Sequence, residues 1–113
     1  MKRVFLIVLD SFGIGAMPDS ESFGDVGVNT LRSCAASKKL NIPNLIAAGL
    51  GNIDGVEVLS KTDAPTGAVA RLTEASMGKD TTIGHWEIAG LVSPQPLPTY
   101  PNGFPQEVLD AFT

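Results

Sequence analysis

The residues best suited to chemistry lie in one short stretch, from Gly78 to Glu87. It holds the only histidine and tryptophan of the chain, and its first five residues combine a glycine, a cation, a carboxylate and two hydroxyls. Asp80 or Thr81 would make a good helix N-cap, because its side-chain oxygen can accept from backbone N–H groups two or three residues later. That helix end favours phosphate, so a hydroxyl there could receive a phosphoryl group, with Lys79 neutralising the charge.

The same stretch has a simpler interpretation, in which Asp80 and Thr81 only cap a helix. His85 follows Thr81 by one helical turn and lies on a similar face, where it could bind a metal or orient a neighbour by a hydrogen bond. Trp86 is interpreted as a core residue in preference to a substrate platform, and Glu87 as part of a solvated face in preference to a ligand partner. The apolar stripe that predicts the helix consists of Ile83, Trp86, Ile88 and Leu91.

A second chemical candidate is Asp10, which closes the apolar run Val4–Leu9. A continuous apolar run that is partly β-branched is typical of a strand buried on both faces, as in a parallel sheet covered by helices. Ligands of open α/β sheets bind outside the carboxyl ends of the strands, where Asp10 and Ser11 lie. Asp10 could therefore bind a hard cation or simply form a turn, and both interpretations stay open here.

The remaining pattern predicts the elements around these residues. A loop is predicted at 17–29, then a helix from Asn29 or Thr30 to about Lys39 and a short helix at 44–49. An irregular connection at 52–66 and a strand-like segment at 67–72 follow. Residues 105–112 are predicted to be the first part of a further helix. Five prolines between positions 94 and 105 exclude a helix there and predict an extended crossing between domains. We therefore predict a division into 1–93 and 94–113.

Composition limits the classes of function. The 113 residues are enough for one small domain. A net charge of −4 argues against nucleic acid as a partner, and no apolar stretch is long enough to span a membrane. The single cysteine, Cys34, excludes an internal disulfide, is expected to be a small core residue, and fits a cytoplasmic protein. A dinucleotide-binding fingerprint starting at Gly13 would need a third glycine at position 18, which is proline.

One clear strand and one doubtful strand cannot close a doubly wound sheet. An apolar run beside unpaired sheet edges predicts pairing with another segment, self-association or aggregation. The sequence therefore predicts part of a larger fold.

Three segments together carry a family resemblance, namely 3–15, 42–53 and 78–87. They resemble the N-terminal part of bacterial phosphopentomutase, a family of the alkaline phosphatase superfamily. The pair Gly-Lys-Asp-Thr and Gly-His-Trp-Glu is the most specific part, whereas the run that ends in Asp10 is shared more widely in the superfamily. The resemblance implies an α/β fold with a partial alkaline-phosphatase-like core, mostly a parallel sheet flanked by helices, incomplete in this chain, with the start of a cap domain.

The resemblance also implies an activity, the interconversion of ribose 1-phosphate and ribose 5-phosphate and of their 2-deoxy forms. Thr81 matches the threonine that carries the phosphoryl group, and Asp10 matches a carboxylate ligand of one of two metal ions, which the Thr81 oxygen also approaches. Those ions are usually manganese, with magnesium or another divalent ion as a substitute. The family's metal-binding histidines come from the C-terminal part of the chain, so His85 is expected to orient neighbouring groups. Ser11, Lys79 and Asp80 are expected near the substrate phosphate.

Some features depart from the family pattern. The pair Thr82-Ile83 is variable and lies beside the nucleophile, so the local pocket can differ. The other metal ligands and the sugar-binding cap lie beyond Thr113 in family members, so this chain is predicted to be inactive alone. Two alternatives stay open: another phosphomutase or phosphatase of the superfamily, such as a cofactor-independent phosphoglycerate mutase, and a non-catalytic truncated module.

Overall fold

The computed structural model describes residues 1–112, which divide into two compact units, Met1–Thr73 and a second unit that begins at Glu74. The first unit contains a 3-10 helix at Ser20–Phe23, α1 at Thr30–Ala35, α2 at Pro43–Ala48 and a 3-10 helix at Leu50–Asn52. The second unit contains α3 at Thr81–Ile88 and α4 at Gln106–Phe112. The division into 1–93 and 94–113 stays a prediction.

The apolar run Val4–Leu9 is not the buried strand that its sequence predicts. None of residues 1–112 is in a β-strand, and Val4, Phe5 and Ile7 are 96%, 79% and 80% exposed. A strand needs a neighbour to pair with its N–H and C=O groups, and no strand among the described residues supplies one. The segment 67–72 is likewise outside any strand. The α/β fold class, which depends on such pairing, therefore stays a proposal.

Helix α1 begins where the sequence predicts and ends earlier. The side chain of Asn29 caps it by accepting from the backbone N–H of Arg32 at 2.8 Å. The helix was expected to continue to about Lys39, but it ends at Ala35. The hydroxyl of Ser37 accepts from the backbone N–H of Lys39 at 3.2 Å, which offers the chain a turn in place of another helical hydrogen bond.

The core of the first unit is small and surrounds the start of α1. Leu31, Ile53 and Val56 are buried. The half-buried side chains packed on them are Phe12, Ile14, Leu50 and Leu59. The backbone N–H of Leu31 also donates to the carbonyl oxygen of Gly13 at 3.0 Å, which ties the segment after Asp10 to this core. Cys34, expected in the core, is half-buried.

Helix α2 has the end signals expected of a short helix. Pro43 is its first residue, where a missing N–H costs nothing. Gly49 ends it in the left-handed conformation with φ of 108°. Just beyond, the side chain of Asn52 donates to the carbonyl oxygen of Thr62 at 2.7 Å and accepts from its N–H at 2.9 Å. This pair of bonds orders the irregular connection that follows.

In the second unit, α3 buries one side chain of its predicted apolar stripe. Ile83 is fully buried, whereas Trp86 and Ile88 are 41% and 56% exposed, so the prediction of Trp86 as a core residue is wrong. Gly90, with φ of 96°, ends the helix, and the N–H of Leu91 donates to the carbonyl oxygen of Trp86 at 2.8 Å. This is a Schellman arrangement, which satisfies carbonyl groups at the helix end.

The proline-containing stretch leads to α4 as predicted. Residues 94–105 contain no helix, and the rings of Tyr100 and Phe104 lie 4.8 Å apart between their centroids. Within α4, the side-chain amide of Gln106 donates to Asp110 at 2.7 Å. No helix among residues 1–112 combines the length and the apolar character needed to cross a bilayer.

Candidate functional site

Thr81 is the first residue of α3, and Asp80 is its cap. Asp80 has an extended backbone, and its Oδ1 accepts from the backbone N–H of Ile83 at 3.0 Å. The structure therefore decides between the two capping candidates in favour of Asp80. Thr81 is exposed at the helix N-terminus, where N–H groups and the helix dipole favour an anion.

His85 lies one turn further along α3 and contacts the backbone of Thr81. Its Nδ1 is 2.7 Å from the Thr81 carbonyl oxygen. Because a carbonyl oxygen only accepts, Nδ1 is the donor in this contact. The orienting role of His85 stays a prediction.

Glu87 ties the loop before Thr81 to α3. Its Oε1 accepts from the N–H of Ala75 and its Oε2 from the N–H of Ser76, each at 2.8 Å. The hydrogen bond from the Ala75 amide, followed by that from the Ser76 hydroxyl, lowers the pKa of Glu87 below its usual value. Glu87 is partly exposed, as expected of a residue on a solvated face, and its carboxylate also accepts hydrogen bonds within the unit.

Lys79 is also directed into this loop. Its Nζ donates to the carbonyl oxygen of Ser76 at 3.1 Å and lies 3.4 Å from Oε2 of Glu74. The Lys79 side chain is 16% exposed, so most of it is covered within the unit. Its ammonium is held beside the loop that precedes Thr81.

Two buried residues explain why this loop is closely packed. Ser76 is 1% exposed, and its hydroxyl accepts from the backbone N–H of Ser93 at 3.0 Å. Gly78 is buried against Ile83, and a Cβ at position 78 would overlap with the Cδ1 atom of that isoleucine. A larger residue at position 78 would therefore have to displace the end of the Ile83 side chain for the loop to lie on α3.

Asp10 and Ser11 form a turn in the first unit. The N–H of Phe12 donates to the carbonyl oxygen of Leu9 at 3.2 Å, with Asp10 and Ser11 at the exposed centre of the turn. Ser11 has φ of 58°, a left-handed conformation uncommon for residues other than glycine. The hydroxyl of Thr30 donates to the carbonyl oxygen of Ser11 at 3.4 Å and supports this conformation.

The donors expected to bind metal fit a hard cation by type. The Asp10 carboxylate and the Thr81 hydroxyl are oxygen ligands of the kind that Mg²⁺ and Mn²⁺ prefer, and both residues are exposed. Within 1–112, however, no three side chains of His, Cys, Asp or Glu come together in a group that could hold an ion. Asp10 belongs to the first unit and Thr81 to the second. The described residues therefore supply suitable ligand atoms but not a complete ligand set.

The first unit also contains a groove that no local sequence pattern indicates. It has a volume of about 790 Å³ and is lined by Phe12–Pro18, Leu50 and 70–73. Arg71 crosses it and donates through Nη2 to the carbonyl oxygen of Ala16 at 3.2 Å. These residues are 55 positions apart, so no local pattern could have indicated their contact. The bonds from Ala75 and Ser76 to Glu87, across 12 and 11 positions, were overlooked for the same reason.

Comparison with known proteins shows strong similarity along nearly the whole chain. It is 55% identical over 113 residues to a phosphopentomutase of Lachnoclostridium phytofermentans, covering 99% of this chain and 29% of that protein. Phosphopentomutases of Alkaliphilus oremlandii and Acetivibrio thermocellus are each 50% identical, over 97% and 99% of this chain and 28% and 29% of their own lengths. No protein-family model matches the chain. The predicted resemblance to phosphopentomutases is thus confirmed, and the chain spans about 29% of the length of these relatives.

Proposed function

We propose that this chain forms part of the catalytic core of a phosphopentomutase, an isomerase that interconverts the 1- and 5-phosphates of ribose or 2-deoxyribose. The similarity to phosphopentomutases at 50–55% identity over nearly the whole chain carries this proposal. Since the chain spans less than a third of these relatives, the activity is assigned to a longer protein. That protein is proposed to act on a pentose phosphate in the cytoplasm.

Thr81 is the proposed phosphoryl acceptor. Its Oγ1 would attack the phosphorus of a sugar phosphate, forming an O–P bond as the bond from phosphorus to the sugar oxygen breaks. The threonine hydroxyl loses its proton in this step, and the departing sugar oxygen takes up a proton. Its exposed position at the start of α3 supports this role, because backbone N–H groups there can stabilise charge on the phosphoryl oxygens.

Asp10 and Thr81 would contribute to one of two divalent cation sites, proposed to bind Mn²⁺ with Mg²⁺ as a substitute. Such cations, when bound, activate a weak hydroxyl nucleophile and stabilise the leaving oxygen. The other ligands would come from outside the described residues. Ser11, Lys79 and Asp80 are proposed to lie near the phosphate, with Asp80 already engaged as the helix cap.

Phosphopeptide mapping of the complete protein tests the proposal. After incubation with a pentose 1,5-bisphosphate, we expect a phosphate on Thr81 by mass spectrometry, and none when Thr81→Ala is introduced. Thr82→Ala is the matched control, because it removes the neighbouring hydroxyl and should leave the modification in place. Stable phosphate on Ser76 or Thr82 in place of Thr81 would overturn the assignment.

A further inference from the structure

Glu87, near the end of α3, contacts the segment that leads into Thr81. The carboxylate of Glu87 accepts from the adjacent amides of Ala75 and Ser76, at 2.8 Å each, one on each oxygen. We propose that Glu87 is a positioning residue, which clamps 75–80 onto α3 and so sets where the Thr81 hydroxyl is presented. This inference rests on the proposed function, in which Thr81 accepts the phosphoryl group.

The clamp lies close to Thr81 along the chain and is reinforced from a second direction. Ser76 precedes Thr81 by five positions, so little backbone separates the clamped amides from the hydroxyl. On the other side, Ser93 donates its N–H to the Ser76 hydroxyl and accepts from the N–H of Met77, both at 3.0 Å. Because Ser76 is 1% exposed, water has little access to compete for its hydrogen bonds. Residues 75–77 are therefore held both by α3 and by the chain that follows it.

The charges around Glu87 favour a closed clamp at neutral pH. After the hydrogen bonds from Ala75 and Ser76, the ammonium of Lys79 also lowers the pKa of Glu87. The Nζ atom of Lys79 lies 3.4 Å from Oε2 of Glu74 as well. The pKa of Glu87 is lowered mainly by the amide of Ala75, so the carboxylate is ionised and accepts both bonds at neutral pH. Acidification would protonate Glu87 and release the loop before Thr81.

The Glu87→Gln variant tests whether the hydrogen bonds of Glu87, and not only its packing, hold the loop before Thr81. It keeps the size of the side chain and one acceptor oxygen, but its NH₂ group would face one of the two backbone N–H donors. One of the two bonds would therefore be lost while α3 keeps its shape. A small displacement of a reacting hydroxyl is costly, so Glu87→Gln is expected to slow phosphorylation of Thr81 by about tenfold or more.

The experiment measures the rate of Thr81 phosphorylation from a pentose 1,5-bisphosphate, by quenched reaction and mass spectrometry, in the complete protein. Glu87→Gln is compared with Glu107→Gln, which removes an exposed carboxylate from the first turn of α4 in the same unit. The slower rate is expected only for Glu87→Gln, with an unchanged KM and a wild-type circular dichroism spectrum. A folded Glu87→Gln protein with a rate within about twofold of wild type would overturn the proposal.

Amide exchange in the wild-type protein tests the clamp even where Glu87→Gln fails to fold. As pH falls through the titration of Glu87, the amides of Ala75 and Ser76 should lose protection together, after correction for intrinsic exchange. The amide of Gly84, bonded to the carbonyl oxygen of Asp80 at 3.0 Å within the helix, should keep its protection. Loss of protection at all three amides at once would overturn the clamp. A wild-type protein that is never phosphorylated at Thr81 would overturn the proposed function, and amide exchange would then judge the clamp alone.

Discussion

Two segments lead to the two proposed ligand residues, and they differ sharply. Val4–Leu9, which leads to Asp10, is apolar, exposed and outside any strand. Residues 75–80, which lead to Thr81, are held by hydrogen bonds to Glu87, by bonds to and from Ser93, and by the bond from Lys79 to Ser76 within the segment. The partners of the second segment lie within 20 residues of it, whereas a central strand depends on neighbours that can be distant in sequence. Contacts that are close in sequence therefore hold the segment before Thr81. The segment before Asp10 would need to pair with more distant segments to form a strand.

A charge placed within the exposed segment Val4–Leu9 is expected to have the strongest effect on folding of the complete protein. Ile7→Lys places a charge on a residue that is 80% exposed here, so the free energy of unfolding of the 113-residue chain should change by about 0.5 kcal/mol or less. In the complete protein, where the α/β proposal buries this run in a sheet, the same change should prevent folding. Expression and circular dichroism of both forms check this, with Lys2→Gln as a control in each. A complete protein that folds normally with Ile7→Lys would contradict the α/β proposal.

Gly78→Val tests how closely residues 75–80 pack on α3. Gly78→Val would push against the buried Ile83, and overpacking of this kind costs about 1–3 kcal/mol. Gly13→Ala is the matched control, because its added Cβ meets no atom within 4 Å. Chemical denaturation of the complete protein measures both. Equal stabilities for the two variants would show that Gly78 is not packed as described.

A smaller effect compares the helix caps of the two units. Asp80→Ala and Asn29→Ala each remove a side-chain acceptor for a backbone N–H, so each should cost about 1 kcal/mol in free energy of unfolding. The two changes should differ in function, since only Asp80 adjoins the proposed phosphoryl acceptor. Denaturation and Thr81 phosphorylation are measured on the same samples. A phosphorylation rate that falls equally in both variants would contradict the special position of α3.

The smallest expected effect is a dependence of stability on pH. The pKa of Glu87 is lowered from 4.5, so its contribution to stability is fully present above pH 4.5 and is lost as pH falls through the lower value of the folded state. The difference in unfolding free energy between wild type and Glu87→Gln should therefore be constant near neutral pH and shrink in acid. Urea denaturation at a series of pH values measures it. A difference that grows as pH falls would reverse the sign and contradict the account.

The sequence predicted the features that depend on neighbouring residues. The caps at Asn29 and Asp80, the helix that begins near residue 81 and the helix that begins near residue 106 follow from side chains within one turn of each other. The clamp at Glu87 and the contact of Arg71 with Ala16 could not be predicted, because they span 11, 12 and 55 positions, which is beyond the reach of helix and turn patterns. The apolar content of Val4–Leu9 indicates a strand, but the pattern alone does not supply its neighbours. The role of Asp10 stays a prediction for the same reason.

Asp10 and Thr81 are proposed to belong to one phosphoryl-transfer site. Anomalous diffraction at the manganese edge, from crystals of the complete protein grown with Mn²⁺, tests it most directly. We expect an anomalous peak within coordination distance of both a carboxylate oxygen of Asp10 and Oγ1 of Thr81. Manganese peaks that contact neither of these oxygens would contradict it.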